Sequence, residues 1–241
     1  MAKFPFVALA SCAVLAWCPA ALAGPFDLRV AVASEEVFRG QVQNNSATLS
    51  LRADYRFDNR AYVGSRVLNN RSAGDAEIDV YAGWGRSWQL FDLWLIGVDG
   101  GLDLRTYSGD RQGPAARDLD WAEARLAVDS GPLRLSLSAA PDYFGTGAAG
   151  WRVAGQLRWP ITQNLAGTGI VGWNDGAGLR QQTARLGSGR AYADYSFVLN
   201  WSLPADLSLY GQLTGASTTL DDSRRPRLLL GLQWRWGVQL P

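Results

Sequence analysis

Along most of the chain, apolar and polar residues alternate with a period of two. From Ser46 to Phe57, the apolar Ala47, Leu49, Leu51, Ala53, Tyr55 and Phe57 interleave with Ser46, Thr48, Ser50, Arg52, Asp54 and Arg56. The alternation returns in Trp151, Val153, Gly155, Leu157 and Trp159 against Arg152, Ala154, Gln156 and Arg158, and again in Leu230, Leu232, Trp234, Trp236 and Val238 against Gly231, Gln233 and Arg235. Extended backbone sends successive side chains to opposite faces, whereas a helix repeats every 3.6 residues, so these runs predict strands with one apolar and one polar face. Further runs begin near Phe26, Arg60, Ala76, Leu93, Leu119, Leu133, Leu165, Ala191 and Leu207, separated by turn-forming clusters such as Asp58-Asn59, Ser72-Ala73-Gly74, Ser130-Gly131-Pro132 and Asp221-Asp222-Ser223. The total is about twelve strands, an even number, as bacterial barrels prefer.

The connections alternate in length. Asp58-Asn59, Gln89-Leu90 and Ser130-Gly131 are tight, and the segments Gly109 to Arg117 and Asn174 to Arg190 are long. Short periplasmic turns and longer outer loops give this rhythm in a single antiparallel, up-and-down, transmembrane β-barrel, the all-β fold predicted here. A soluble β-sandwich also alternates, and the aromatics separate the two. Trp84, Trp94, Trp151, Trp159, Trp173, Trp201, Trp234 and Trp236 fall mostly near strand ends on the apolar parity, as girdles at two water–lipid interfaces would require. The 27 glycines suit the bends and close approaches of a strongly curved wall.

The first 23 residues read as an export leader: Lys3, an apolar run from Phe4 to Trp17, and the small-x-small signal Ala21-Leu22-Ala23. A lipoprotein pattern at Leu9-Ala10-Ser11-Cys12 sits too early to leave a normal apolar region before it. The barrel is then one domain over 24–241, exported to the outer membrane of a Gram-negative cell, with lipid as its surroundings. Both cysteines, Cys12 and Cys18, belong to the leader, and the chain has no histidine. Thiolate metal sites, disulfides and the commonest general base are therefore missing from the exported part, which argues against an enzyme and for no cofactor or metal. Lys3 is the only lysine, so 22 arginines face 22 acids after it, with no basic stripe to suggest nucleic acid. Nothing marks a subunit interface.

The run Ser34-Glu35-Glu36-Val37-Phe38-Arg39-Gly40-Gln41-Val42-Gln43 resembles the first-strand signature of a proteobacterial porin-type family called Gcw_chp or TorF-like, usually Ser-x-Tyr-x-Phe/Trp-Arg-Gly-x-Ser-Gln. Ser34, Phe38, Arg39, Gly40 and Gln43 match. Tyr62-Val63-Gly64 with Asn69 resembles the next element, Glu77-Ile78-Asp79-Val80-Tyr81-Ala82-Gly83 a third, Asp142-Tyr143-Phe144 a fourth and Tyr192-Ala193-Asp194-Tyr195 a fifth, in the family's order. Glu36, Val42, Arg66, Leu68 and Ser108 depart from it, and the chain ends in Leu240-Pro241 rather than in an aromatic residue. The resemblance implies a divergent outer-membrane barrel with a channel function.

If the apolar parity faces lipid, the other parity sends Arg29, Glu35, Arg39, Arg52, Asp54, Arg56, Arg66, Glu77 and Asp79 into the lumen. It does the same for Asp103, Arg105, Glu123, Arg125, Arg134, Arg152, Arg158, Asp194 and Arg235. Such a lining predicts a porin passing small polar solutes by diffusion, with a slight Arg surplus favouring anions. The alternative is a structural or interaction barrel whose Arg–carboxylate pairs close the lumen. Arg39 is expected either at a constriction or paired with an acid such as Glu77 or Asp79, with Gly40 allowing a bulge or a close strand approach. Glu77 and Asp79 share one strand face, but nothing marks a glycosidase cleft around them, and Asp221-Asp222 reads as a solvated turn before it reads as a Ca²⁺ site.

Overall fold

The computed structural model describes residues 25–69, 76–90, 94–108, 120–185, 189–217 and 225–239. The expected leader, Ser72-Ala73-Gly74, the loop Gly109 to Arg117 and Asp221-Asp222-Ser223 lie outside them.

Twelve antiparallel strands close into a barrel, as the alternation predicts. In chain order, β1 is Pro25–Ala33, and two short strands follow it, β2 (Glu36–Phe38) and β3 (Gln41–Asn44), which pair only with each other. The wall continues with β4 (Thr48–Arg56), β5 (Ala61–Asn69), β6 (Ala76–Leu90), β7 (Trp94–Ser108), β8 (Trp121–Ser130) and β9 (Leu133–Ala140). It ends with β10 (Gly150–Pro160), β11 (Leu165–Asp175), β12 (Tyr192–Ser202), β13 (Leu207–Ala216) and β14 (Arg227–Gln239), and a helix, α1 (Ala177–Arg185), interrupts the β11–β12 connection. Each wall strand pairs with its sequence neighbour, and β1 closes the ring against β14 from Pro25↔Gln239 to Ala33↔Gly231.

Registers carry one parity consistently around the ring. Leu28, Leu51, Val67, Leu102, Leu126, Leu135, Val171 and Leu230 point out and are half-buried or exposed. The opposite parity points in and carries the charges. A sandwich would have buried the apolar face between two sheets; here that face is the outside of a closed wall, and among the described residues no second sheet covers it. Trp84, Trp201, Trp234 and Trp236 are exposed toward the short-turn end, and Trp173 is exposed toward the other. Trp151 and Trp159 stand eight residues apart on β10, about 27 Å along the strand at roughly 3.4 Å per residue, a length suited to the apolar core of a bilayer once the strand is tilted.

Short connections at 57–60, 131–132, 161–164 and 203–206 gather at one end with β1's start and β14's finish, and the long ones gather at the other. Two expectations shift. Gln89 and Leu90, expected in a turn, pair with Leu95 and Trp94 as the last rungs of β6. The Asn174 to Arg190 segment contains α1, which buries Leu179 and Thr183, four residues apart and so on one helix face.

Inside the wall, ring sits on glycine. A Cβ on Gly64 would collide with the Tyr81 ring, and one on Gly83 with the Tyr62 ring. These two interlocks cross between β5 and β6, where Gly64 pairs with Tyr81 and Tyr62 with Gly83. Gly64→Val should therefore displace Tyr81 and its hydrogen bond to Asp54, costing about 1–3 kcal/mol. A lower urea midpoint for tryptophan fluorescence, with the barrel still shifting mobility on heating, is the expected readout; an unchanged midpoint contradicts the interlock.

Candidate functional site

The β2–β3 hairpin does not extend the wall. It folds into the lumen from the long-loop end, turning on Arg39 (φ 51°) and Gly40 (φ 75°). Positive φ at both central residues is the two-residue hairpin turn whose twist matches the flanking strands. Glycine adopts it freely, and Gly40 must also be small, because a Cβ there would lie 2.5 Å from the Gly215 carbonyl oxygen on β13. Arginine in that conformation is strained, typically by about 1–3 kcal/mol. Its side chain offsets the strain: the Arg39 guanidinium donates to Glu123 and, at 3.1 Å, to Ser138, and lies 4.7 Å from the Phe38 ring centre and 5.8 Å from that of Trp121. Burial disfavours the Arg39 cation, but the pairing with the Glu123 carboxylate holds the group charged. The hairpin base is tied as well. Glu35 accepts from Arg227 at 2.8 Å, and Asn44 donates to Thr48 and to the Asn69 carbonyl.

Around the hairpin tip lies an aromatic layer. Trp121 stacks on Phe144 at 5.1 Å, Phe38 meets Trp121 edge-on at 6.2 Å, and Tyr107, Tyr143, Tyr192 and Leu179 of α1 complete the cluster. Below it is a layer of ion pairs. Arg66 reaches Asp79 (2.9 Å), Glu77 (3.2 Å) and Glu36 (3.6 Å); Arg105 reaches Asp79 (2.9 Å) and Glu77 (3.4 Å). Across the lumen, Arg152 grips Asp194 with two nitrogens at 2.9 and 2.7 Å, and Asn174 donates to the same carboxylate at 2.6 Å.

The short-turn half is different. A cavity of about 570 Å³ is lined there by Arg29, Arg52, Arg56, Arg125, Arg134 and Arg235 against Asp27, Asp54 and Asp99. The long-loop half, with the hairpin, holds Arg39, Arg66, Arg105, Arg152 and Arg227 against Glu35, Glu36, Glu77, Asp79, Asp103, Glu123 and Asp194. Among the described lumen residues, charge is thus divided along the axis, with acids in excess under the long loops and arginines in excess at the other mouth.

Every wall residue expected in the lumen takes the inward parity: Arg29, Arg52, Asp54, Arg56, Arg66, Glu77, Asp79, Asp103, Arg105, Glu123, Arg125, Arg134, Arg152, Arg158, Asp194 and Arg235. Glu35 and Arg39 reach the interior by another route, since their segment is the inserted hairpin and not the first wall strand. Arg39 pairs with Glu123; Glu77 and Asp79 are taken by Arg66 and Arg105. The expected close approach at Gly40 is made by the hairpin tip against β13. The matched motif residues Tyr62, Gly64, Glu77, Asp79, Tyr81 and Gly83 are neighbours on the inner faces of β5 and β6. Sequence reasoning missed Glu36, Asp27, Asp99, Trp121 and Asn174. The last four share the inward parity of their strands and could have been found by extending it; Glu36 could not.

A closed antiparallel wall, apolar outside and charged inside, with unequal loops at its two ends, defines a transmembrane β-barrel of porin architecture. The sequence pattern of the Gcw_chp family, described as a bacterial protein of unknown function, matches residues 20–227, and the chain belongs to that family. No curated protein matches. Among solved structures, the KdgM porin is similar at 13% identity and a TM-score of 0.51, covering 87% of this chain and 98% of its own. An outer membrane channel from Pseudomonas putida is similar at 11% identity and a TM-score of 0.45, covering 90% and 96%. At these identities the likeness is one of fold.

Burial raises the Glu36 carboxyl above its ordinary range; Arg66 opposes this, and Glu77 adds to it. A folded-state value above the unfolded one means that protonation stabilises the seated hairpin: the contribution is present at low pH and lost as pH rises through the raised value. Hydrogen exchange at Val37 and Phe38, corrected for intrinsic rates, should slow as the pH is lowered from neutral toward the ordinary carboxylate range. Glu36→Gln should be protected across this range; a wild-type hairpin with no pH dependence contradicts the assignment.

Proposed function

We propose that this chain is an outer-membrane porin related to the TorF-like proteins, through which small polar solutes diffuse, with a mild preference for anions. No bond is made or broken. The observation that carries the reading is the charged cavity inside an apolar wall: a lumen lined by Arg29, Arg52, Asp54 and Arg134 is solvated ground for a polar solute and poor ground for lipid. The long loops would face outward and the short turns the periplasm. Anion preference follows from the arginine excess at the short-turn mouth, where side-chain charge acts at close range on whatever passes.

A second reading has its own support. The aromatic layer, the Arg39–Glu123 pair and the seated hairpin fill the long-loop half, as in a non-conducting barrel whose loops meet a partner. Planar-bilayer recording separates the two. The porin reading expects small stepwise currents from the wild type and, in a salt gradient, a reversal potential on the anion side. It also expects larger steps from Arg39→Ser, which removes the anchor and leaves Gly40 to make the turn. A heat-modifiable barrel that stays silent in both forms supports the closed alternative, and a cation-side reversal potential removes the anion preference.

A further inference from the structure

The strand registers put arginines abreast. Arg235 on β14 is the partner of Arg29 on β1, which is the partner of Arg52 on β4. Neighbouring strands lie about 4.8 Å apart, and like charges directly opposite each other on one face of a sheet oppose folding. Arg52 in turn is the partner of Arg66 on β5, which Glu77 and Asp79 already satisfy; the other three call for counter-charge, yet the acids beside them are few. Asp27 serves both Arg29, at 2.6 Å, and Arg235, each through Nε, and among the described residues the terminal nitrogens of both guanidiniums, which line the cavity, have no ion-pair partner. Asp54 takes Arg52 with two bonds and also accepts from Tyr81. Arg56 lines the same cavity and makes no ion pair among the described residues. Opposite, Arg125 donates to the Tyr62 hydroxyl at 3.1 Å, while its buried Nε, without a hydrogen bond, lies 3.9 Å from Asp99. Arg66 and Arg105 do not line this cavity, and Glu77 and Asp79 already satisfy both cations.

We propose that this chamber is a binding site for a small polyvalent anion, carrying two or more carboxylate or phosphate groups about 5 Å apart and admitted from the short-turn mouth. The anion takes the free edges of Arg29 and Arg235 together, with Arg56 on the neighbouring strand β4 and Arg125 across the lumen, and supplies the counter-charge that the row lacks. A monovalent anion could satisfy only one position in the row. The assignment rests on the porin reading only in taking the lumen as a compartment for solutes. It requires neither current nor an open long-loop end.

The test is calorimetric titration of the full detergent-solubilised chain at low salt, with citrate, pyrophosphate and, as the monovalent comparison, acetate. Citrate or pyrophosphate should bind at least about tenfold more tightly than acetate, in a manner weakened by salt. Preference for citrate assigns a carboxylate ligand, and preference for pyrophosphate a phosphate one. The double variant Arg29→Gln with Arg235→Gln should lose this advantage. Asp27→Asn, which frees both guanidiniums, should tighten binding, an effect that a purely structural row would not give. Arg180→Gln, on α1 at the far end, should bind as the wild type does, and heat-modifiable mobility confirms folding of each variant. The proposal is overturned if neither polyanion exceeds acetate, or if the double variant binds them unchanged. Binding in a protein that passes no current would refute the porin reading and leave the site standing; current without binding would do the reverse.

Discussion

A strand that runs through hydrocarbon must find a partner for each of its backbone N–H and C=O groups, because an unsatisfied one costs several kcal/mol there and no water is at hand. The pairing of β1 with β14 meets that demand by removing both sheet edges. Closure then dictates the rest. With period two along every strand, apolar residues outside entail polar ones inside, and a ring of twelve strands brings those polar residues within reach of one another. Charges confined in this way need partners, and the residues that supply them on β5, β6 and β7 form the Arg66–Asp79–Arg105 layer.

The hairpin follows from the same logic applied to a segment that the wall does not use. Its two strands pair only with each other, so its place is secured mainly by side chains: ion pairs at the tip and at Glu35 and Glu36, rings around it, and an asparagine at its base. Losing one partner of a buried ion pair typically costs about 3–5 kcal/mol, more than the strain of a left-handed arginine, so Arg39 stays where its turn is unfavourable. The family motif reads differently in this light. Phe38-Arg39-Gly40, Asp142-Tyr143-Phe144 and Tyr192-Ala193-Asp194 are far apart in the chain, yet their rings and charges meet in the long-loop half of the barrel.

The wall was legible in the sequence because its signal is local: Ser46 to Phe57 states its two faces within a dozen residues, and so do β10 and β14. The hairpin was not. Residues 34–43 also suit extended backbone, and nothing nearby says that their partners are Glu123, Ser138 and Gly215 rather than an adjacent strand. Parity likewise told which charges face inward but not which acid each arginine meets, since Arg66 and Arg105 reach the same two carboxylates from opposite sides of β6. Helix α1 escaped for a further reason. Its apolar contact is a single leucine, too little to raise a helical period above the surrounding polar sequence.

The hairpin also bears on how the molecule is assembled. It emerges early in the chain, between the first two wall strands, but its tip rests on residues that come 84, 99 and about 175 positions later. The tip's ion pair waits for β8 and β9, and its seat on Gly215 for β13, the second-last wall strand; contacts of such long sequence separation are slow to form. A ring already sealed at β1 and β14 could thus precede its own occupied interior, so that newly inserted barrels would begin with an emptier lumen than mature ones.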